Sequence, residues 1–168
     1  MNTARLQGGL IALLGFNIGV YALAGRFGEL LDAAAWFVLL ATFGLEAFEP
    51  ALAQRLRHLI GLLRLVAAGI VVWAALHFLA EGEWLDAINA WLWIVVVIAL
   101  ETELRLDRYR PQLRILTRLL YAALLLIALV WLAAGAWFDA YDALLWICAF
   151  VVVEGGLGRR AGQDPKPA

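Results

Sequence analysis

Six apolar runs of about twenty residues alternate along the chain with short polar segments. They lie at roughly 8–25, 29–48, 59–80, 84–102, 115–135 and 141–158. A helix of about 20 residues spans the ~30 Å hydrocarbon core of a bilayer. An isolated strand would leave its backbone polar groups unsatisfied in lipid. The pattern therefore predicts an all-α integral membrane protein with six transmembrane helices.

Composition supports a lipid environment over water. Of 168 residues, 65% are apolar and 16% are charged, whereas soluble domains average about 45–50% and about 25%. The net charge of −1 by itself says nothing about partners, and we predict no nucleic-acid partner. The single Cys148 excludes an intramolecular disulfide. The lipid bilayer is the partner that the composition itself implies.

The basic residues predict the orientation. Twelve of the thirteen fall at one end of the six runs, and only Arg26 falls at the other. The twelve are Arg5, Arg55, Arg57, Arg64, Arg105, Arg108, Arg110, Arg114, Arg118, Arg159, Arg160 and Lys166. The positive-inside rule then predicts a multi-pass protein of the cell inner (plasma) membrane with both termini cytoplasmic. Residues 159–168 are predicted to form a disordered cytoplasmic tail.

The first apolar run has an alternative interpretation. Arg5, the apolar stretch after it and Ala22-Leu23-Ala24 resemble a secretory signal peptide with an A-x-A cleavage site. Cleavage would remove residues 1–24, half of the first unit of the repeat described next, and the repeat therefore favours an uncleaved helix.

A short motif recurs three times between paired runs, as Gly28–Ala33, Gly82–Ala87 and Gly135–Ala140. Its aspartates Asp32, Asp86 and Asp139 are 54 and 53 residues apart. Glu46, Glu101 and Glu154 follow at the far ends of the same helices, 55 and 53 residues apart. Such a period indicates a repeat architecture. We predict a single transmembrane domain, 1–158, of three helical hairpins with the same orientation at about 1–50, 51–104 and 105–158.

The three aspartates have two interpretations. Asp is among the best N-cap residues, accepting from the unpaired amides at a helix start, and the first interpretation is that Asp32, Asp86 and Asp139 cap their helices. The alternative is an acidic ring at an outer mouth, which would attract cations.

The aspartate and the glutamate of one helix are too close together for both to reach bulk water on opposite sides of the membrane. From Asp86 to Glu101 is 15 residues, or about 22 Å of helix, less than the ~30 Å of hydrocarbon. A charge left in hydrocarbon is unfavourable and seeks a partner. Arg64 and Arg118 lie level with the glutamates of their own hairpins, and we predict structural ion pairs Arg64–Glu101 and Arg118–Glu154.

The first hairpin has no such arginine, because the matching position is near Leu10. Glu46 must therefore take an arginine from a neighbouring hairpin, be protonated, or face water. This makes Glu46 the first carboxylate to test in a proton or cation path, which would also contain Glu101, Glu154, Asp32, Asp86 and Asp139.

Two further features concern helix packing. Gly15 and Gly19 form a G-x-x-x-G that permits close helix approach, with the amide of Asn17 between them. Trp84 and Trp137 are predicted to lie at the membrane interface. Trp93 and Trp146 lie two turns deeper. We predict that they pack between hairpins, and the alternative is that they line an outer-leaflet groove for a lipid, quinone or pigment.

Motifs for catalysis or for phosphate binding are absent. The chain has no serine and no G-x-S-x-G, Walker loop, H-E-x-x-H, C-x-x-C or G-x-G-x-x-G. His77 and His58 fall at opposite ends of one run, which argues against a metal or haem site, and we predict no cofactor. We therefore predict a non-enzymatic accessory or assembly subunit of a membrane complex, with a membrane-protein partner or a second copy of itself. The alternative function is a small cation or proton channel or transporter.

Overall fold

The protein is helical throughout the part of the chain that the structure describes. The computed structural model describes residues 3–105 and 109–161, with side chains at 8–46, 49–103, 109–152 and 154. The helices are α1 (Thr3–Ala24), α2 (Phe27–Phe48), α3 (Pro50–Arg55), α4 (Arg57–Glu81), α5 (Trp84–Arg105), α6 (Arg110–Ala133) and α7 (Trp137–Ala161). No strand occurs in these ranges.

Four helices are long and apolar enough to cross a membrane within the described residues: Phe27–Glu46, Arg57–Glu81, Trp84–Glu103 and Arg110–Ala133. A shorter apolar helix covers Gly8–Ala24. The predicted all-α class is confirmed, and the hydropathy and length of these helices are those of a membrane protein.

Each of the six predicted segments is helical, and the main additions are at the ends of helices. The short helix α3 was not expected. It starts at Pro50, whose fixed φ suits the first position of a helix, after the chain leaves helical geometry at Glu49 (φ −130°, ψ 62°). Helix α7 continues to Ala161, into the tail predicted to be disordered. The remainder of that tail, 162–168, lies outside the described residues.

The chain divides into two compact units. The first is Met1–Ile70 with Cys148–Ala168, and the second is Val71–Ile147. In the first unit, α2 packs against α1 and α3, and the rings of Trp36 and Phe150 make an edge contact at 6.1 Å. In the second unit, α5 packs against α6. Small residues such as Ala74, Ala87 and Ala90 are fully buried there, which lets the helix backbones approach closely.

Three turns have the same geometry. Gly25, Gly82 and Gly135 are the only residues with positive φ in the described chain, at 70°, 79° and 81°. At each turn the glycine N–H donates to the carbonyl three residues back, and the next N–H donates to the carbonyl five residues back. This is the Schellman arrangement, which closes a helix through a left-handed residue best suited to glycine. We call these three residues the turn glycines, and α2, α5 and α7 the return helices.

The structure corrects the predicted register in the first copy. The turn glycine there is Gly25, and Gly28 lies inside α2. The acid that matches Asp86 and Asp139 is therefore Glu29, since each of the three is the third residue of its return helix. Asp32 is three residues further on, almost one turn deeper in α2. Two glycines three residues apart made the local sequence ambiguous.

The predicted N-cap role of the aspartates is wrong. The carbonyls of Arg26, Glu83 and Ala136 accept the first helical hydrogen bonds of the return helices, and these residues hold the N-cap positions. Asp86 and Asp139 lie inside the first turn. A carboxylate there still lies beside the positive end of the helix macrodipole, which favours negative charge.

Buried residues lie at the same distances from all three turn glycines. Eleven residues before the glycine lies a buried aliphatic residue, and four residues before it lies a buried aromatic ring. Eight residues after it lies a buried alanine, and eleven residues after it lies a buried tryptophan. These sets are Leu14, Val71 and Leu124; Tyr21, Phe78 and Trp131; Ala33, Ala90 and Ala143; and Trp36, Trp93 and Trp146. The same side-chain classes therefore recur at the same distance from the same turn.

Candidate functional site at the end of α2

The last two turns of α2 carry polar and charged groups on one face and an apolar groove on another. On the polar face, Thr42, Phe43 and Glu46 contact Arg64 of α4. Residues three and four apart lie on one side of a helix, and Thr42, Phe43 and Glu46 therefore point towards the same neighbour. All four residues belong to the first unit.

Arg64 is bound in three ways. Its Nη2 donates to Glu46 Oε2 at 2.8 Å, its Nε donates to Thr42 Oγ1 at 3.0 Å, and its guanidinium carbon lies 4.3 Å from the centre of the Phe43 ring. A guanidinium presents donors in a planar fork and stacks on aromatic faces, so one side chain serves both kinds of contact. Arg64 is only 22% exposed.

The Thr42 hydroxyl completes a chain of donors and acceptors. It is buried and donates to the Leu39 carbonyl at 2.8 Å, leaving its lone pairs to accept from Arg64 Nε. A hydroxyl has one donor and two acceptor sites, and these two bonds use them without conflict. The arrangement holds the arginine head in one orientation.

Glu46 therefore has a basic partner from another helix. Of the three options that the sequence left open, the structure shows the first: Glu46 takes Arg64 from the helix that starts the next predicted hairpin. The carboxylate remains 44% exposed. The predicted pairs Arg64–Glu101 and Arg118–Glu154 each join residues of different units, and both stay predictions. Within the described chain, Glu101 and Glu154 are half-buried, and Arg118 is exposed.

A second arginine–carboxylate pair, which the sequence reasoning missed, lies in the second unit. Arg114 Nε of α6 donates to Glu103 Oε1 of α5 at 2.8 Å. Counting from the turn glycines would have found it, because Glu46 follows Gly25 and Glu103 follows Gly82 by the same 21 residues. Both pairs join a return helix to the next long helix of the chain.

The apolar groove has a volume of about 390 Å³. It is lined from α1, α2 and α7 by Leu10, Ile11, Phe37, Leu40, Ala41, Gly44, Leu45, Ala149 and Val152, together with Glu49. Glu49 is the one charged residue of this lining, and it lies immediately after the end of α2. Its exposed side chain has no hydrogen bond or ion pair to any residue that the structure describes.

The predicted packing motif of α1 has its residues on two faces. Asn17 is buried inside the first unit. Gly15 and Gly19 are exposed, and a Cβ built on either would meet no atom within 4 Å. The G-x-x-x-G therefore makes no close contact within the described chain, and its role in packing against another helix stays a prediction.

Two of these tryptophans are buried and two are exposed. Trp93 and Trp146 are buried, and the Trp93 ring makes an edge contact with Tyr121 of α6 at 6.3 Å. This confirms that Trp93 packs between neighbouring helices. Trp84 and Trp137 are exposed, as residues of an interfacial belt would be.

Two buried polar atoms in the second unit have no hydrogen-bond partner in the described chain, Asn89 Oδ1 and Thr117 Oγ1. His77 stacks on Trp73 with ring centres 5.1 Å apart. Among the described residues, no three His, Cys, Asp or Glu side chains are grouped as metal ligands.

Comparison with known proteins adds no relative. No family model, no curated protein and no solved structure matches this chain.

Proposed function

We propose that this chain is a six-span inner-membrane protein of three repeated hairpins that acts as a non-enzymatic accessory or assembly subunit of a membrane complex. The observation that carries the proposal is that charged residues form ion pairs between helices. Glu46 with Arg64, and Glu103 with Arg114, link successive hairpins. Charged residues near hydrocarbon either pair with one another or mark functional sites. These four residues form pairs that connect one helix to another.

The orientation in this proposal rests on charge and aromatic residues. The end with twelve basic residues is cytoplasmic by the positive-inside rule. At the other end, the first residue of each return helix is an exposed aromatic residue: Phe27, Trp84 and Trp137. Aromatic side chains are enriched at the membrane interface. Arg26, the single basic residue at that end, pairs with Glu29 at 2.6 Å.

Helix α1 offers the face on which a partner helix would dock. Gly8, Gly15 and Gly19 are exposed, with open space around each. Small residues at membrane helix interfaces allow close backbone approach and van der Waals contact. Together with the paired charges, this open face supports a role in assembly.

Purification of the native complex with a mild detergent and mass spectrometry tests the subunit role. We expect a second membrane protein in a fixed ratio to this chain. Gly15→Leu should reduce its recovery, whereas Gly69→Leu, a matched change at an exposed and open position of α4, should not. A stoichiometric homo-oligomer with no other polypeptide would contradict the proposal.

Cation or proton transport is the second candidate, and one observation favours it. Seven residues after each turn glycine lies a polar residue: Asp32, Asn89 and Asp142. Asn89 Oδ1 is buried without a donor in the described chain, and an orphaned acceptor is a place for water or an ion. The acids Glu46, Glu101, Glu154, Asp86 and Asp139 would serve the rest of the path.

Flux measurements in liposomes test transport. If the chain conducts, Glu46→Gln and Asn89→Leu should each abolish the flux, while the exposed Glu83→Gln should leave it unchanged. No flux of protons or of common cations from the wild-type protein would exclude this candidate.

A further inference from the structure

The groove along α2 has the size and depth for one lipid chain. Its volume of about 390 Å³ lies within the ~300–1,000 Å³ of ligand pockets. Along α2 it extends from Phe37 to Glu49, which is about 18 Å of helix at ~1.5 Å per residue. That is a little over half of the ~30 Å hydrocarbon core. The groove therefore covers about one leaflet, too short to seat a spanning helix along its whole length.

An acyl chain fills such a groove without a change in polarity. Lipid tails are as apolar as the Leu, Ile and Phe side chains of the lining, and their dispersion contacts replace those that an empty groove would lack. Transfer of a tail from bulk lipid into the groove gives little net preference for one lipid over another. Selection among lipids must therefore come from the headgroup.

Glu49 supplies the selecting group. It is exposed, and no residue of the described chain pairs with it. An ionised carboxylate is an acceptor only. It favours a headgroup that carries both positive charge and N–H donors, and it disfavours an anionic headgroup. A primary ammonium meets both conditions, whereas a quaternary ammonium has the charge without the donors.

We propose that the groove between α1, α2 and α7 binds a phospholipid with a primary-amine headgroup, its acyl chain along Leu40 and Gly44 and its ammonium on Glu49. This inference requires that the first unit lies in a bilayer, and it does not depend on the accessory-subunit role. The bound lipid acts as a structural ligand of the hairpin that carries Glu46.

The test uses the full-length protein reconstituted with equal amounts of phosphatidylethanolamine, phosphatidylcholine and phosphatidylglycerol of identical acyl chains. Native mass spectrometry then counts the lipids retained. We expect phosphatidylethanolamine to be retained about fivefold over phosphatidylcholine, the effect of one exposed charge-assisted hydrogen bond, and over phosphatidylglycerol by more. Glu49→Gln should bring the first ratio close to one, and the exposed Glu83→Gln should leave it unchanged.

A second variant tests the groove itself. A Cβ at Gly44 meets no atom within 4 Å, and the side chain of Gly44→Leu would occupy the groove. We expect it to reduce retention of all three lipids, while Gly69→Leu retains them. Equal retention of the amine and choline lipids by the wild type, or an unchanged ratio in Glu49→Gln, would overturn the proposal. So would a polypeptide that co-purifies and excludes lipid from the groove.

Discussion

The two arginine–carboxylate pairs have the same place in the chain and different surroundings. Glu46 and Glu103 each lie 21 residues after a turn glycine, and each accepts an arginine N–H at 2.8 Å. Arg64 is 22% exposed, hydrogen-bonds Thr42 as well and stacks on Phe43. Arg114 is 54% exposed.

Depth explains the difference. Arg64 lies 18 residues before its turn glycine and Arg114 lies 21 residues before its own. Arg64 is therefore about 4.5 Å further along its helix axis towards the turn, at ~1.5 Å per residue. A guanidinium nearer to hydrocarbon needs more partners than one at the aqueous boundary. Two ion pairs of equal length can therefore contribute differently to stability, because their surrounding contacts differ.

The largest expected effect is that of Arg64→Met. It removes two hydrogen bonds and one cation–π contact, and we expect the free energy of unfolding to fall by about 2 kcal/mol. Arg64→Lys keeps the charge but loses the planar fork, and should lose about half as much. Reversible unfolding in mixed micelles, followed by tryptophan fluorescence, measures both. If Arg64→Lys lost as much free energy of unfolding as Arg64→Met, the planar fork of the guanidinium, and not its charge, would provide the stabilisation.

The turn glycines set the register that makes the two carboxylates comparable. Gly25→Ala and Gly82→Ala should each lower the free energy of unfolding by about 1 kcal/mol, because both glycines have positive φ. Gly61→Ala, at an exposed and open position of α4, should be neutral or stabilising. The same unfolding assay compares them. A neutral Gly25→Ala would show that the two turns are not equivalent.

Thr42→Val tests the contact that the second pair lacks. Valine has nearly the shape of threonine without the hydroxyl, so Arg64 Nε and the Leu39 carbonyl each lose a partner. We expect a loss of about 0.5–1 kcal/mol in unfolding free energy. Thr102→Val is the matched control, because the Thr102 hydroxyl donates within its own helix, to Ile98 at 2.6 Å. Equal effects would mean that Thr42 does not support Arg64.

The helices were predictable because hydropathy and length set them. In lipid, the backbone polar groups of a single run of about twenty apolar residues are satisfied within the run only if it forms a helix. Local turn geometry was harder. Gly25 and Gly28 both precede an acid, and only hydrogen bonding shows which takes positive φ. An aromatic residue lies four positions before each turn glycine, and in the first turn it is Tyr21. This residue identifies Gly25 as the turn glycine, whereas matching the aspartates pointed to Gly28.

The pair of Glu103 with Arg114 was missed, and the partner of Glu46 was left open, for a different reason. Partners were sought at equal depth within one hairpin, so Arg64 was assigned to Glu101. The contact with Glu46 depends on which helices are neighbours, and hydropathy carries no information about that. Glu103 was passed over because it lies one residue beyond the predicted end of its span. Sequence spacing gives the depth of a charge in the membrane, and tertiary packing decides its partner.

Arg114→Met has the smallest expected effect and tests the comparison most directly. Arg114 is exposed and donates to Glu103 through Nε, and exposed ion pairs contribute about 0–1 kcal/mol. We expect a fall of at most about 0.5 kcal/mol in unfolding free energy, reduced further by added salt, since screening acts mainly on exposed charges. The loss caused by Arg64→Met should change less with salt, because its contacts to Thr42 and Phe43 do not depend on an exposed charge pair. If both arginine variants lose the same free energy with the same salt dependence, then position in the chain, and not the surrounding contacts, sets the strength of these pairs.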